Sequence, residues 1–291
     1  MTHPAGPPPY QPGGSPYGPA AVCVRHPDRA TGLSCTRCGR PACTECLREA
    51  SVGHQCVDCV AEGQRTARRP TTVAGAPPRG RSVVVPTLIA VNAAVYVLTA
   101  AQARNPMYNS LSPLFRELSL VPGYVQAGEW WRVITAGFLH IGPIHLVVNM
   151  LALWMLGRDL EIVLGRGRFL ALYLVSLIGG SAAVMLFYAP DEQVAGASGA
   201  VFGLMGALVV VLRRLRAPAG QVFGIIGLNV VISLVIPGIS LIGHLGGLVV
   251  GAAATAALVY APPRNRTAVQ AAAIAGLTVF LLLLIWATTL R

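Results

Sequence analysis

Seven apolar runs separated by short polar connections constrain this chain more than any motif does. They fall at roughly Val83 to Ala103, Ile144 to Leu156, Phe169 to Ala189, Gly199 to Leu212, Val222 to Ile236, Ser240 to Tyr260 and Ala268 to Thr288. A run that meets lipid must satisfy its backbone N–H and C=O groups internally, which helices do. Composition agrees: 54% of the 291 residues are hydrophobic and 11% charged, where an ordinary soluble chain carries about a quarter charged residues. The expected fold class is an all-α polytopic membrane protein.

The arginines orient it. All 22 basic residues are Arg. Arg65, Arg68, Arg69, Arg79 and Arg81 precede the first run. Arg158, Arg166 and Arg168 lie between the second and third, Arg213, Arg214 and Arg216 between the fourth and fifth, and Arg264 and Arg266 between the sixth and seventh. The short loops around Asp191 and from Pro237 to Ile239 carry no basic residue. The positive-inside rule then puts the N-terminus in the cytoplasm and the C-terminus outside, in a bacterial plasma membrane. A net charge of +11 therefore reads as topology, and no nucleic acid is expected.

Before the first run the chain changes character twice. Residues 1–20 are rich in Pro, Gly and Tyr and lack the apolar core of a signal peptide, so a disordered tail is expected. Residues 21–61 form a Cys-rich domain, and 62–82 a basic linker to the membrane domain at 83–291. The Cys-rich block reads Cys23-x-x-His26, Cys35-x-x-Cys38, Cys43-x-x-Cys46 and His54-x-Cys56-x-x-Cys59. Pairs at this spacing are enough for two tetrahedral, structural zinc ions. Disulfides are disfavoured in a reducing cytoplasm, and a block this small needs metal to fold. Its expected role is protein interaction, with membrane lipid as the other contact of its Arg-rich flanks.

The fourth run is the unusual one. About fourteen apolar or small residues rise only ~21 Å against a ~30 Å hydrocarbon core, which leaves Ser198 submerged and Val194 to Ala197 as irregular backbone. Such backbone is tolerated where it is buried in protein or lines a watered cavity. Counting from the loops puts His244 of the sixth run, and His145 and Asn149 of the second, at similar depth on the same side. Polar groups inside a bilayer are expensive, so four at one level point to a site. A Ser hydroxyl needs a base, which His supplies. No acid lies in the fourth or sixth run, so a Ser198/His244 dyad is the economical arrangement. Asn149, the Ser198 N–H and His145 are candidate oxyanion donors. Taken alone, the glycines around Ser198 and His244 read as helix-packing residues.

These residues resemble the rhomboid family of intramembrane serine proteases. The resemblance covers about residues 83 to 260 and rests on several features in order. They are Trp131-Arg132, His140, His145 and Asn149 within His-Leu-Val-Val-Asn, Glu161, Gly165, Arg168 and Phe169, Gly196-Ala-Ser-Gly199, and Gly243-His244 with Gly247 and Gly251. It implies a six-helix core, here with a seventh C-terminal helix, and metal-free cleavage of single-span membrane proteins. It assigns Ser198 as nucleophile, His244 as base, and His145 with Asn149 as the oxyanion hole. Trp131-Arg132 would stabilise the first loop, where His140 would be a structural hydrogen-bonding residue. One departure is Phe202, where many members carry a Tyr against the catalytic His. The alternative is a non-catalytic relative that binds membrane clients. A transporter would call for acidic partners inside the membrane runs, which are missing.

The Cys-rich block resembles a B-box zinc finger, which implies that Cys23/His26 share an ion with Cys43/Cys46, and Cys35/Cys38 with Cys56/Cys59. His54 is then spare. Asn92 and Asn229 are expected to bond between helices, and Arg158, Asp159 and Glu161 to form an interfacial charge cluster.

Overall fold

The computed structural model describes residues 21–67, 70–78 and 80–290. The tail expected over residues 1–20, and Arg68, Arg69 and Arg79 of the linker, lie outside them. Two compact units divide between Arg69 and Pro70.

The first unit is two small hairpins and a helix. Strand β1 (Val22–Cys23) pairs antiparallel with β2 (His26–Ala30), and β3 (Leu47–Glu49) with β4 (His54–Cys56), Leu47 lying opposite Cys56. Helix α1 (Val57–Thr66) follows β4 directly. Among the described residues, Ala42 and Leu47 are the only members of its buried cluster that are not cysteines. Apolar burial on that scale cannot offset the entropy of ordering some forty residues, at roughly 1–2 kcal/mol each.

The second unit is helical throughout and forms a multi-pass membrane protein. Helix α2 (Val84–Ala103) leads into a loop holding three short helices, α3 (Pro113–Leu118), α4 (Pro122–Gln126) and α5 (Arg132–Thr135). Then come α6 (Gly142–Leu164), α7 (Arg166–Phe187), α8 (Ser198–Leu215), α9 (Gly220–Val235), α10 (Leu241–Val259) and α11 (Arg266–Thr288). Helices α2, α7, α8, α10 and α11 are each long and apolar enough to cross a membrane. Residues Arg132–Phe138 and α6 qualify together across a 93° bend, and α9, at 16 residues, is shorter. The seven apolar runs thus appear as seven helices. The fourth is longer than its apolar core, because Arg213 and Arg214 remain helical up to a left-handed Arg216. Its 18 residues rise ~27 Å.

Two expectations are corrected by the folded chain. Glu161 is buried, and beside a 3.8 Å ion pair with Arg166 it serves a helix start rather than Arg158 and Asp159. Its carboxylate accepts from Ser82 Oγ at 2.5 Å and from the N–H groups of Val83, Val84 and Val85 at 2.7, 3.0 and 3.0 Å. An anion on the unpaired amides of a helix start satisfies donors that lipid would leave bare and complements the helix dipole, so Glu161 ties α6 to the beginning of α2. Asn229, for its part, donates to Ile225 O, a carbonyl of its own helix. A carbonyl one turn back is always in reach, whereas a neighbouring helix offers a partner only where it packs.

The core is the trio α7, α8 and α10. Gly247 and Gly251 of α10 face the backbone of Gly199 and Gly203 on α8, and a Cβ at either α10 position would overlap the opposing peptide. Gly246, on an adjoining face of α10, approaches Gly179 of α7, where a Cβ would sit 2.6 Å from the carbonyl oxygen. Small residues let membrane helices touch along their backbones, where dispersion and dipolar contacts replace the hydrophobic effect. Helix α9 is different: Val222 and Ser233 are its only buried residues. Helix α11 is held by Gln270, which donates to Leu258 O and Ala74 O and accepts from Arg168 Nε at 2.7 Å.

Gly247→Ala is expected to lower stability by about 1–3 kcal/mol through overpacking, whereas Gly276→Ala on α11, with open space around it, is expected to be neutral. Thermal unfolding of both variants in detergent checks the pair.

Candidate active site and candidate metal centres

The irregular stretch before α8 is sheltered by protein. Val194 exchanges backbone hydrogen bonds with Leu120, 2.8 and 3.0 Å, and the Gly196 N–H donates to Ala136 O at 2.9 Å. The polar backbone expected at membrane depth is thus satisfied by the loop between α2 and α6. Gly196 has φ +143°, a conformation costly for any residue with a Cβ. A Cβ there would also lie 3.0 Å from His145 Nε2 and 3.5 Å from Ser198 Oγ. Serine and imidazole therefore converge on this bare α-carbon.

Ser198 opens α8, so its N–H is among the first-turn donors without an intrahelical acceptor, at the positive end of the helix dipole. Ser198 and His244 line one cavity of about 40 Å³, with Gly137, Gly180 and Gly199 among its other walls. That volume accepts a water molecule. One turn beyond Ser198, the Phe202 ring stacks on His244 with centroids 4.1 Å apart and planes 13° from parallel. The stacking expected of a Tyr is thus made by the Phe. His244 is 7% exposed, and its Nδ1 lies 2.9 Å from Ser233 Oγ on α9.

On α6, His145 Nδ1 accepts the Ile141 N–H at 3.2 Å. An acceptor nitrogen carries no proton, so Nε2, the nitrogen facing Gly196, is the N–H of the neutral ring. Asn149 is 6% exposed and spends one amide proton on His145 O at 2.9 Å, which leaves its second proton free. The His140 ring sits 5.1 Å from that of His145, edge to face. Its ring nitrogens make no hydrogen bond to a described residue. His140 does make a hydrogen bond in this loop, its carbonyl accepting from Asn109 Nδ2 at 2.7 Å. Arg132, 4% exposed, pairs with Glu129 at 2.5 Å and donates to Arg116 O and Ser119 O, while Trp131 Nε1 donates to Glu117 O. Both pin the loop that covers the cavity side of the bundle.

Ser233 is the site residue that sequence reading misses. A signal existed: it is a hydroxyl near the C-terminal end of the fifth apolar run, one Pro-Gly turn before the sixth. Lone serines in apolar helices are common, so only the contact with His244 distinguishes this one.

In the first unit, Cys23, His26, Cys43 and Cys46 form one tetrad and Cys35, Cys38, Cys56 and Cys59 another, the ligand atoms of each within 4.8 Å of one another. A tetrahedral ion with bonds of ~2.3 Å to sulfur and ~2.0 Å to nitrogen spaces its ligands by about 3.5–3.8 Å. His26 Nδ1 lies 3.8, 3.4 and 3.3 Å from Cys23, Cys43 and Cys46, and the sulfurs of Cys38 and Cys56 are 3.8 Å apart. All seven cysteines are free thiols. The donor sets fit a closed structural ion, and two such ions would supply the cohesion that Ala42 and Leu47 cannot. Backbone amides prepare the ligands: the Cys43 N–H holds the Cys23 thiol down to about 6, and the Cys56 N–H, 3.2 Å from Cys35 Sγ, does the same for Cys35. Burial pushes Cys46 up to about 11 and Cys59 up to about 12. His54 lies on β4, outside both tetrads.

A bundle of apolar helices enclosing a cavity lined by a helix-start serine and a stacked histidine defines a multi-pass membrane protein with a polar pocket among its helices. The sequence matches the model of the Rhomboid domain over residues 127–261. It is 43% identical over 139 residues to Rhomboid protease GluP of Bacillus subtilis, 46% of this chain and 27% of that protein. It is 35% identical over 136 residues to YdcA of Bacillus subtilis, 44% of this chain and 68% of that protein, whose name carries the same rhomboid term. It is 28% identical over 211 residues to Rhomboid protease AarA of Providencia stuartii, 62% of this chain and 74% of that protein. The chain belongs to the rhomboid family, a family of intramembrane proteases.

Purified protein is expected to carry about two zinc ions per chain, and Cys35→Ser about one. Elemental analysis checks both, and a metal-free wild type would contradict the double site.

Proposed function

We propose that the chain is an intramembrane serine endopeptidase that cleaves single-span membrane proteins. Ser198 Oγ attacks the scissile carbonyl carbon while His244 takes its proton. The oxyanion that forms accepts hydrogen bonds from the Ser198 N–H, His145 Nε2 and the spare Asn149 proton. As the C–N bond breaks, His244 returns the proton to the leaving amine, and a water in the same cavity hydrolyses the acyl-enzyme with His244 again as base. The observation that carries this reading is the shared cavity of Ser198 and His244 beneath the Phe202 stack. The proton placement on His145 supports it independently, because only an Nε2–H imidazole can donate toward Gly196.

In this reading the two zinc ions are structural and take no part in hydrolysis, and the Cys-rich domain binds a protein partner. The arginine distribution supports a cytoplasmic N-terminus and a site open to the extracytoplasmic side. The stacking of Phe202 on His244 favours catalysis over a purely client-binding role, since the ring geometry around the base is kept.

Purified protein in detergent is expected to cleave a single-span substrate. Ser198→Ala and His244→Ala should each lower kcat by about a thousandfold or more, since members of a nucleophile-base unit fail together. Cleavage that survives Ser198→Ala would overturn the assignment.

A further inference from the structure

We infer that Ser233, on α9, is a positioning residue that fixes the tautomer of His244, with Nδ1 protonated and Nε2 bare. Its catalytic consequence rests on the proteolytic reading above, but the tautomer itself does not.

Ser233 Oγ makes two contacts: it donates to Asn229 O, one turn back on α9, at 2.8 Å, and lies 2.9 Å from His244 Nδ1. A hydroxyl has one proton. With that proton on the Asn229 carbonyl, the oxygen can only accept from Nδ1. The arrangement that satisfies both contacts therefore puts the imidazole proton on Nδ1 and leaves Nε2 bare. A bare Nε2 is what a general base turned toward the serine requires. The opposite tautomer would make Ser233 choose between its two acceptors and would fill the lone pair that takes the Ser198 proton. A third group that orients the base is the usual completion of a nucleophile-base pair, and no carboxylate is available in α8 or α10. Here an uncharged hydroxyl fills that place, which also avoids burying a charge in lipid.

The test uses the full-length protein in detergent, with Ser233→Ala, Ser233→Thr and Ser233→Cys beside wild type. In histidine-selective ¹⁵N spectra, the signals lost in His244→Gln identify His244. Wild type and Ser233→Thr are expected to show Nδ1 protonated and Nε2 bare, and Ser233→Ala a mixture of tautomers. A wild-type His244 protonated on Nε2, or an unchanged tautomer in Ser233→Ala, would overturn the inference whatever the activity. With a single-span substrate, Ser233→Ala is expected to lower kcat about tenfold, the worth of one uncharged hydrogen bond, with KM within twofold. Labelling of Ser198 by a fluorophosphonate should slow in parallel, and Ser233→Thr should restore both. Wild-type kcat in Ser233→Ala, with cleavage still dependent on Ser198, would sink the inference alone. Cleavage independent of Ser198 would sink the proteolytic reading while the spectra still decide the tautomer. Should Ser233→Ala not fold, Ser233→Cys keeps the volume with a weaker acceptor and is expected to shift both readouts the same way.

Discussion

The backbone-to-backbone approach of α8 and α10 is the contact on which the rest depends. Gly199 and Gly203 meet Gly247 and Gly251 with no room for a side chain between them. In lipid, two apolar helices gain nothing by hiding from their surroundings, so close packing has to supply the attraction. The same closeness fixes chemistry, because Ser198 precedes Gly199 by one residue and His244 precedes Gly247 by one helical turn. Had these helices been separated by ordinary side chains, the hydroxyl and the imidazole would lie on different walls.

Around that contact the molecule solves one recurring problem, which is polar backbone in an apolar medium. The stretch before α8 pairs with Leu120 and Ala136, and the start of α2 receives the Glu161 carboxylate. Ser240 caps α10 by accepting the Gly243 N–H at 3.1 Å. Each device frees a nearby group. Sheltering the stretch before α8 lets the helix begin at Ser198, and beginning there leaves the Ser198 N–H free to donate. The first unit meets a related shortage by another route. Lacking apolar side chains to bury, it collects its thiols into two tetrads in which an ion would take the place of a hydrophobic core.

Much of this was legible in the residues. Seven helices and the Cys/His ligand pairs follow from hydropathy and spacing. What escaped was mostly partner choice. Glu161 looked like a member of a charge cluster with Arg158 and Asp159, yet the N–H groups it serves are some eighty residues earlier in the chain. Asn229 looked like a bridge between helices and bonds its own. In each case the residue type announced a hydrogen bond, and only packing said to what.

The sequence by itself determined that this chain is a multi-pass membrane protein, which segments are apolar helices, and which cysteines and histidine pair at ligand spacing. Those are consequences of local composition and of periods of a few residues, and they hold whatever the neighbours do. Tertiary structure alone decided which nitrogen of His145 carries its proton, what stands behind His244, and how near α8 and α10 come. A proton position or a backbone contact depends on groups brought together from distant parts of the chain, and no stretch of sequence contains both sides of such a meeting.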